Sequence, residues 1–394
     1  MSQKYSNEFI ISFVILLLVL FKYIQIPYFQ PQLSTQHFDL DTRTFKTPSI
    51  SQVTNELKNK VKTKKNIPKY VDQQCPDGID VVWLWVNGSD PVFREEYIKH
   101  GRKSGEGRYR DYNTLQYSIR SVYEYAPYIK NYYIVTMNQV PSFLNTSQFT
   151  FEDYTMRIVD HKEIFPNNED LPVFNSNSLE VSLHNIKGLK SCFLYLNDDM
   201  LLGKELKPIH FLSENGKLNI YHNSWKAPNE NKMQRNIWHR SVGNSNERLN
   251  KHFGLEINTK HYYVAHHCYF FKTDTLKEME QLWPEDYVEI RKRKFRNKED
   301  LAVPYLHNNL LFEQGKANLI KETDNVYGTF TEKRSSNLKL FNKIKKKHPQ
   351  CICMNDAIQG ISEKDLQREV SVLNGFMEHQ YPYPSPFEKD VIFV

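Results

Sequence analysis

Between residues 78 and 86 the chain reads GIDVVWLWV, a nearly unbroken apolar, β-branched and aromatic run that stops at Asn87-Gly88-Ser89-Asp90-Pro91. A strand apolar on both faces belongs inside a sheet covered by helices. The turn residues fix its end. KNYYIVTMNQ (130–139) and MRIVDH (156–161) read as further buried strands, and CFLYLNDDM (192–200) as a fourth that ends in acidic residues. YNTLQYSIRSVYEYAP (112–127) sets Leu115, Ile119 and Val122 at helical spacing before Pro127, and NSLEVSLHNIKGL (177–189) reads as another helix. Strand, helix, strand, strand, helix, strand is the rhythm of an α/β sheet.

Ligands of open α/β sheets bind beyond the C-terminal ends of the strands. Two polar clusters stand there: Asn87-Gly88-Ser89-Asp90 and Asn197-Asp198-Asp199. Carboxylates at Asp198 and Asp199 suit a Mg²⁺ or Mn²⁺ ion bridging phosphates, although alternation along a strand turns only one of them to a cleft. A helix cap or loop ion pair is the competing reading. Gly88 permits close backbone approach, and Asn87, Ser89 and Asp90 suit a base, ribose or phosphate. A plain strand-ending turn explains the same four residues.

The second half is richer in His, Trp and Arg. HYYVAHHCYFFKT (261–273) reads as one strand, which sends His266 and His267 to opposite faces. One of them in a cleft would serve as a general base; a packed or surface histidine is the ordinary case. DTLKEMEQLW (274–283) reads as a helix with Asp274 as N-cap. Arg291, Arg293, Arg296 and Lys298 follow, suited to phosphate as forks and point charges, or simply a solvated helix face. ISEKDLQREVSVLNGFMEHQYP (361–382) is a final amphipathic helix. GxGxxG, P-loop, HExxH and GxSxG signatures are absent, which argues against the common dinucleotide, NTPase, zinc-protease and α/β-hydrolase classes.

The N-terminus is of another kind. FIISFVILLLVLF (9–21) carries no charge. With Tyr23, Ile24 and Ile26 the apolar stretch reaches about 18 residues, the lower limit for a spanning helix. A cleaved signal peptide competes, but KYIQIPYFQP after the run offers no small-x-small site. Residues 1–26 are therefore expected to be a cytosolic tail and transmembrane signal-anchor, 27–77 a Pro- and polar-rich stem, and 78–394 a lumenal domain. A net charge of +6, with both signs interspersed, gives no nucleic-acid signal. The odd set Cys75, Cys192, Cys268, Cys351 and Cys353 leaves at least one thiol outside any intrachain pairing, which the sequence does not specify. Asn145-Thr146-Ser147 is an N-glycan acceptor pattern on a loop; Asn87-Gly88-Ser89 matches it too, but follows a buried strand.

Four blocks, in order, resemble the Stealth proteins, a family of hexose-1-phosphotransferases. IDVVWLWVNGSDP (79–91) is similar to the first. The second runs from RYRDYNTLQYSIRSVYEYAPYIKNYYIVTMNQVPSFLN through IVDHKEIFP to LPVFNSNSLEVSLHNIKGLKSCFLYLNDDMLLG. AHHCYFFKTDTLKEMEQLWPEDYVEIRKRKFRNKEDL (265–301) is similar to the third and CMNDA (353–357) to the fourth. The chain looks like the catalytic subunit of the lysosomal GlcNAc-1-phosphotransferase without its long spacer modules. It departs from the family at Cys268, where members often carry Pro.

The resemblance implies a glycosyltransferase-like (Rossmann-like) mixed sheet flanked by helices. It implies transfer of a sugar-1-phosphate from a nucleotide-sugar donor to a hydroxyl of a glycan or glycoprotein acceptor, with a nucleoside monophosphate leaving. Glu180, Asp199, His266 and Arg296 match the family's active-site residues, and Asn355 and Asp356 fall in its fourth block. His266 would then be the general base, Arg296 the phosphate clamp, Asp199 a metal or donor contact, and Glu180 an orienting group. With the signal-anchor this gives a single-pass enzyme of the Golgi or ER membrane. An ordinary glycosyltransferase releasing a nucleoside diphosphate, and an inactive lectin-like subunit, are the readings it competes with.

Overall fold

Strand β1 (Ile79–Leu84), buried along its whole length, lies at the centre of the main sheet. The computed structural model describes residues 69–101, 107–228 and 230–389. β2 (Asn131–Thr136) pairs with β1 in parallel on one side, and β4 (Tyr154–Asp160) pairs with β2 in parallel beyond it; β3 (Thr150–Phe151) is an antiparallel edge. On the other side β5 (Cys192–Asn197) runs parallel to β1, and β9 (Tyr269–Lys272) closes the sheet antiparallel to β5. The chain thus winds outward from β1 in both directions. The order reverses between β1 and β5, which places a crevice at their C-terminal ends.

Two smaller sheets complete the fold. β6 (Met200–Leu202) pairs antiparallel with β12 (Cys351–Asp356), which pairs in parallel with β11 (Asn325–Phe330). β7 (Leu218–Lys226) lies between β8 (Tyr262–Val264) and β10 (Ala317–Lys321). Among the described residues, the helices of eight residues or more are α1 (Pro91–Lys99), α2 (Thr114–Tyr125), α3 (Ile237–Phe253), α4 (Thr273–Leu282), α5 (Pro284–Lys292), α6 (Val303–Glu313), α7 (Arg334–Lys347) and α8 (Glu363–Gln380). Helix α2 buries Leu115, Ile119 and Val122 as their spacing requires. Trp83 donates from Nε1 to Ser118 Oγ at 2.8 Å, and Ser118 donates on to Met200 O, so β1, α2 and β6 share one hydrogen-bonded chain through the core. Arg120 on α2 is buried against Glu388 at 2.8 Å and donates to Tyr381 O, which ties the C-terminal segment down.

A disulfide joins Cys75 to Cys192, while Cys268, Cys351 and Cys353 are buried thiols. Residues 69–77, read as the end of the stem, hold a short helix (Lys69–Gln74) and this bridge. The expected signal-anchor and the rest of the stem lie outside the described residues. Among the described residues no helix is long and apolar enough to cross a membrane.

Three sequence expectations change. The helix expected over 177–189 is two pieces, Ser176–Glu180 and a 3-10 turn at Leu183–Asn185. Serine hydroxyls there bond to backbone: Ser178 Oγ donates to Ile290 O at 2.6 Å and Ser182 Oγ to Ser178 O at 3.1 Å, an alternative to a continuous helix ladder. The strand expected over 261–273 is two strands in different sheets. β8 pairs with β7 and β9 with β5, and the change of sheet falls at residues 265–268. Finally, α4 starts at Thr273 with Lys272 at its N-cap, so Asp274 sits in the first turn instead of capping it.

Candidate active site

Beyond β1 the chain turns at Asn87 and Gly88. Gly88 N donates to Tyr109 O at 2.7 Å, and a Cβ on residue 88 would stand 2.4 Å from that oxygen, so only glycine fits. Gln139 brackets Asn87 with two 2.9 Å bonds to its backbone N–H and C=O. Asn87 Oδ1 accepts from Ser89 N at 2.9 Å, and Asp90 accepts from Phe93 N at 2.8 Å as the N-cap of α1. The side chains of Asn87 and Asp90 therefore hold the turn and the helix start.

Beyond β5 the carboxylates of Asp198 and Asp199 diverge. Asp198 Oδ2 accepts from Thr114 Oγ1 at 3.2 Å, at the start of α2. Asp199 Oδ2 lies 3.6 Å from Cys353 Sγ, while its Oδ1 is buried with no hydrogen-bond partner. Asp199 O also accepts from Met354 N at 3.1 Å, so β12 is docked on this turn. Burial pushes the Asp199 carboxyl up to about 6. Burial and the charges of Asp199 and Asp111 push Asp198 well above the carboxylate range. Burial and mutual charge thus both favour the protonated forms of these two acids.

Glu180, at the end of the Ser176–Glu180 helix, is buried. Its Oε1 lies 3.0 Å from Tyr195 Oη, which is also 3.0 Å from Asn197 Oδ1; its Oε2 has no partner. Burial lifts its carboxyl to about 7 against the opposing pull of Arg296. Arg296 donates to Ser176 Oγ at 2.7 Å and has no ion pair among the described residues. By contrast, Arg291 is buried against Glu280, Ser182 and Val181 O, and Arg293 pairs with Asp300 and Glu299. Of the three arginines, only Arg296 is left for a ligand.

His266 sits in the break between β8 and β9. Its Nδ1 is 2.7 Å from Tyr269 Oη, and its ring meets Tyr327 edge-on at 5.4 Å. Burial, then His267 and Arg296, hold its pKa down to about 4, so the imidazole is neutral at neutral pH. His267 points elsewhere, its Nε2 3.2 Å from buried Glu322. The adjacent histidines do part, although the backbone between them is a bend and no strand.

Asn355 donates to Tyr327 Oη at 2.9 Å, behind the His266 ring. Asp356 is taken up on every side: Arg110 Nε at 2.8 Å, Tyr112 Oη at 3.1 Å and Ile358 N at 2.8 Å. Tyr269, bonded to His266, stacks its ring on Tyr195 at 6.0 Å, and burial and the charges of Glu180, Cys353 and Asp199 push its phenol well above its usual range; Arg296 in turn lies near enough to act on both Glu180 and His266. Asn145 lies on a loop, its backbone N–H bonded to Phe387 O and its Oδ1 accepting from Ser147.

Tyr269 and Asp300 were not singled out in the sequence. Asp300 is fully buried and accepts from Asn175 Nδ2, Asn177 Nδ2 and Arg293 Nη1 at 3.0 Å each, and from Asn297 N at 2.9 Å. These donors flank Glu180 on one side and Arg296 on the other. The only sequence signal was the polar spacing N-S-N before Glu180, which is common in loops.

Four stretches match the conserved regions of one family: Stealth protein CR1 at residues 77–105, CR2 at 108–220, CR3 at 265–313 and CR4 at 342–391. A capsular polysaccharide phosphotransferase of Haemophilus influenzae is 30% identical over 71% of this chain and 79% of its own length. The chain belongs to the Stealth family. An exopolysaccharide phosphotransferase of Streptomyces coelicolor is 31% identical to this Stealth protein over 79% of the chain and 52% of its own length. The chain spans about half the length of the first curated relatives it matches. Among solved structures, the galactosyltransferase LgtC in complex with donor and acceptor sugar analogs aligns with a TM-score of 0.38 and 11% identity, over 76% of this Stealth chain and 95% of its own.

Proposed function

We propose that the chain transfers a sugar-1-phosphate from a nucleotide-sugar to a hydroxyl of a glycan acceptor and releases a nucleoside monophosphate. The single observation that carries this reading is the placing of the His266 imidazole, bonded to Tyr269, near the guanidinium of Arg296, which has no ion pair among the described residues and also acts on Glu180. The acceptor oxygen would attack the phosphorus next to the sugar. The new P–O bond forms as the bond to the nucleoside monophosphate breaks, and the hydroxyl proton passes to His266 Nε2. That role needs the tautomer in which Nδ1–H donates to Tyr269 Oη, leaving Nε2 an acceptor. Arg296 would hold the transferring phosphoryl group as charge builds on it. Glu180, with one oxygen fixed by Tyr195 and the other free, would take a sugar hydroxyl.

A divalent cation fits this site. Mg²⁺ and Mn²⁺ often take one or two carboxylates plus substrate phosphates and water, and Asp199 offers an unpartnered oxygen beside Asp198. Bound there, the ion would supply charge neutralisation for the donor's phosphates.

The Cys75–Cys192 bridge supports an oxidising compartment, consistent with a lumenal domain of the Golgi or ER and a glycan at Asn145. Residues 9–21 would anchor it; resistance of the full chain to alkaline extraction from membranes tests that, and release would overturn it.

The reaction itself is tested by incubating the purified protein with UDP- and GDP-sugars, Mg²⁺ or Mn²⁺ and mannose-terminated acceptors. Acceptor-dependent nucleoside monophosphate, lost in His266→Ala, is the expected result. Nucleoside diphosphate would move the protein to the ordinary glycosyltransferases.

A further inference from the structure

Residues 221–264 lie in none of the four matched regions, because the second ends at 220 and the third begins at 265. The interval is nonetheless built in beside the site. β7 and β8 pair antiparallel, with Lys226 opposite Tyr262 and His222 opposite Val264, and β8 runs directly into Ala265 and His266. At the rise of extended backbone, Tyr262 lies within about 13 Å of His266 along the chain.

The end of β7 and the segment that follows it, up to the first turn of α3, are aromatic and basic. Trp225 is 63% exposed and Trp238 36% exposed, and neither belongs to a core cluster. Lys226 Nζ stands 5.1 Å from the Tyr262 ring centroid, and Lys232 Nζ stands 5.1 Å from that of Trp225 and 5.9 Å from that of Tyr263. His222 and Tyr262 are 4.3 Å apart, ring to ring. His239 is bonded to Tyr263 Oη at 2.8 Å, and Lys232 and Arg235 are near enough to help burial hold its pKa down. From 222 to 240 the sequence carries Lys226, Lys232, Arg235 and Arg240 against one acidic residue, Glu230.

We propose that this ribbon is the acceptor ledge, and that it takes a glycan chain bearing negative charge. The C–H faces of sugar rings pack on exposed aromatic rings, and the interleaved cations match acidic groups spaced along the chain. The proposal rests on the transferase reading above and names its acceptor class. The matched regions carry the residues that reading assigns to the chemistry; the interval between them is where a chain-specific acceptor preference belongs. Phosphotransfer leaves a phosphodiester on the acceptor, so the ledge favours the kind of chain that one round of reaction makes.

The test is direct binding to the full chain, measured by calorimetry with three probes of matched length: a neutral hexasaccharide, a hexasaccharide with phosphodiester links, and linear polyphosphate. Wild type should prefer the phosphodiester hexasaccharide. Trp225→Ala with Trp238→Ala should weaken that probe about tenfold, equivalent to about 1.4 kcal/mol, and leave polyphosphate unchanged. Trp225 is 63% exposed and Trp238 36% exposed, so the pair is compared with Trp225→Ala alone, and a wild-type thermal midpoint shows that each variant keeps its fold. Lys226→Gln with Lys232→Gln should narrow the gap between charged and neutral hexasaccharides. Unchanged hexasaccharide affinity in the Trp pair, or equal affinity of wild type for both hexasaccharides, overturns the proposal. Because binding is read without turnover, release of nucleoside diphosphate would sink the phosphotransfer reading and leave the ledge standing, whereas intact phosphotransfer with an inert Trp pair would sink the ledge alone.

Discussion

Asp300 accepts a hydrogen bond from Asn177 at 3.0 Å, and through it the short helix ending in Glu180 is registered against the loop that carries Arg296. Asparagine at 300 would offer one acceptor oxygen where four donors converge, and would leave Arg293 without its buried partner. Asp300→Asn should cost about 3 kcal/mol or more in urea unfolding. The protein that remains folded should lose kcat, because Arg296 and Glu180 lose their common reference. A wild-type unfolding midpoint would show that the network does not hold these elements together.

Glu180 ties stability to pH. Its carboxyl is raised in the fold from an ordinary 4.5 to about 7. A raised folded value means the native state keeps a proton that the unfolded chain releases, so this contribution is present below the unfolded pKa and is lost as pH rises through about 7. The loss amounts to about 3 kcal/mol. Between about pH 5 and about pH 8, Glu180→Gln should show a smaller fall in Tm than wild type. Equal falls would mean that the carboxyl is not perturbed.

Tyr269 sets the His266 tautomer in the proposed chemistry. His266→Gln should lower kcat by roughly 10²- to 10⁴-fold, the usual worth of a general base. Tyr269→Phe should lower it by less, because the ring is kept while the hydroxyl partner of Nδ1 is lost. A kcat for Tyr269→Phe equal to that of wild type would remove Tyr269 from the base's machinery.

The proposed cation site is tested through the unpartnered oxygen of Asp199. Chelation should abolish turnover, and Mg²⁺ or Mn²⁺ should restore it. Asp199→Asn should raise the half-saturating metal concentration by about tenfold or more. Full activity in excess chelator would show that the two acids serve the donor in some other way.

Much of this was legible in the chain. The strands β1, β2, β4 and β5 announce themselves because a buried parallel strand must be apolar on both faces, and their polar ends mark the crevice. His266 and Arg296 were singled out through the resemblance of the ordered blocks, since spacing alone did not separate Arg296 from Arg291 and Arg293. What separates them is which guanidinium already has a protein carboxylate, and that depends on Glu280 and Asp300 arriving from elsewhere in the fold. The break at 265–268 was hidden for a similar reason: Tyr262–Val264 and Tyr269–Lys272 have the same β character, and only their partners in separate sheets divide them. Likewise, nothing local in Ser178 and Ser182 says that their hydroxyls will bind backbone and split a helix.

The Cys75–Cys192 bridge acts at the far end of the strands that bear the active-site turns. Cys192 pairs with Ile79 at the N-terminal ends of β5 and β1, while Asn87 and Asp198 follow their opposite ends. The bridge closes a loop with a sequence separation of 117 residues, for which chain entropy alone gives about 4.9 kcal/mol. A chain made where thiols stay reduced would have to bring β1 and β5 together without that constraint. The order of this sheet is thereby tied to the redox state in which the chain folds as much as to the apolar residues that fill it.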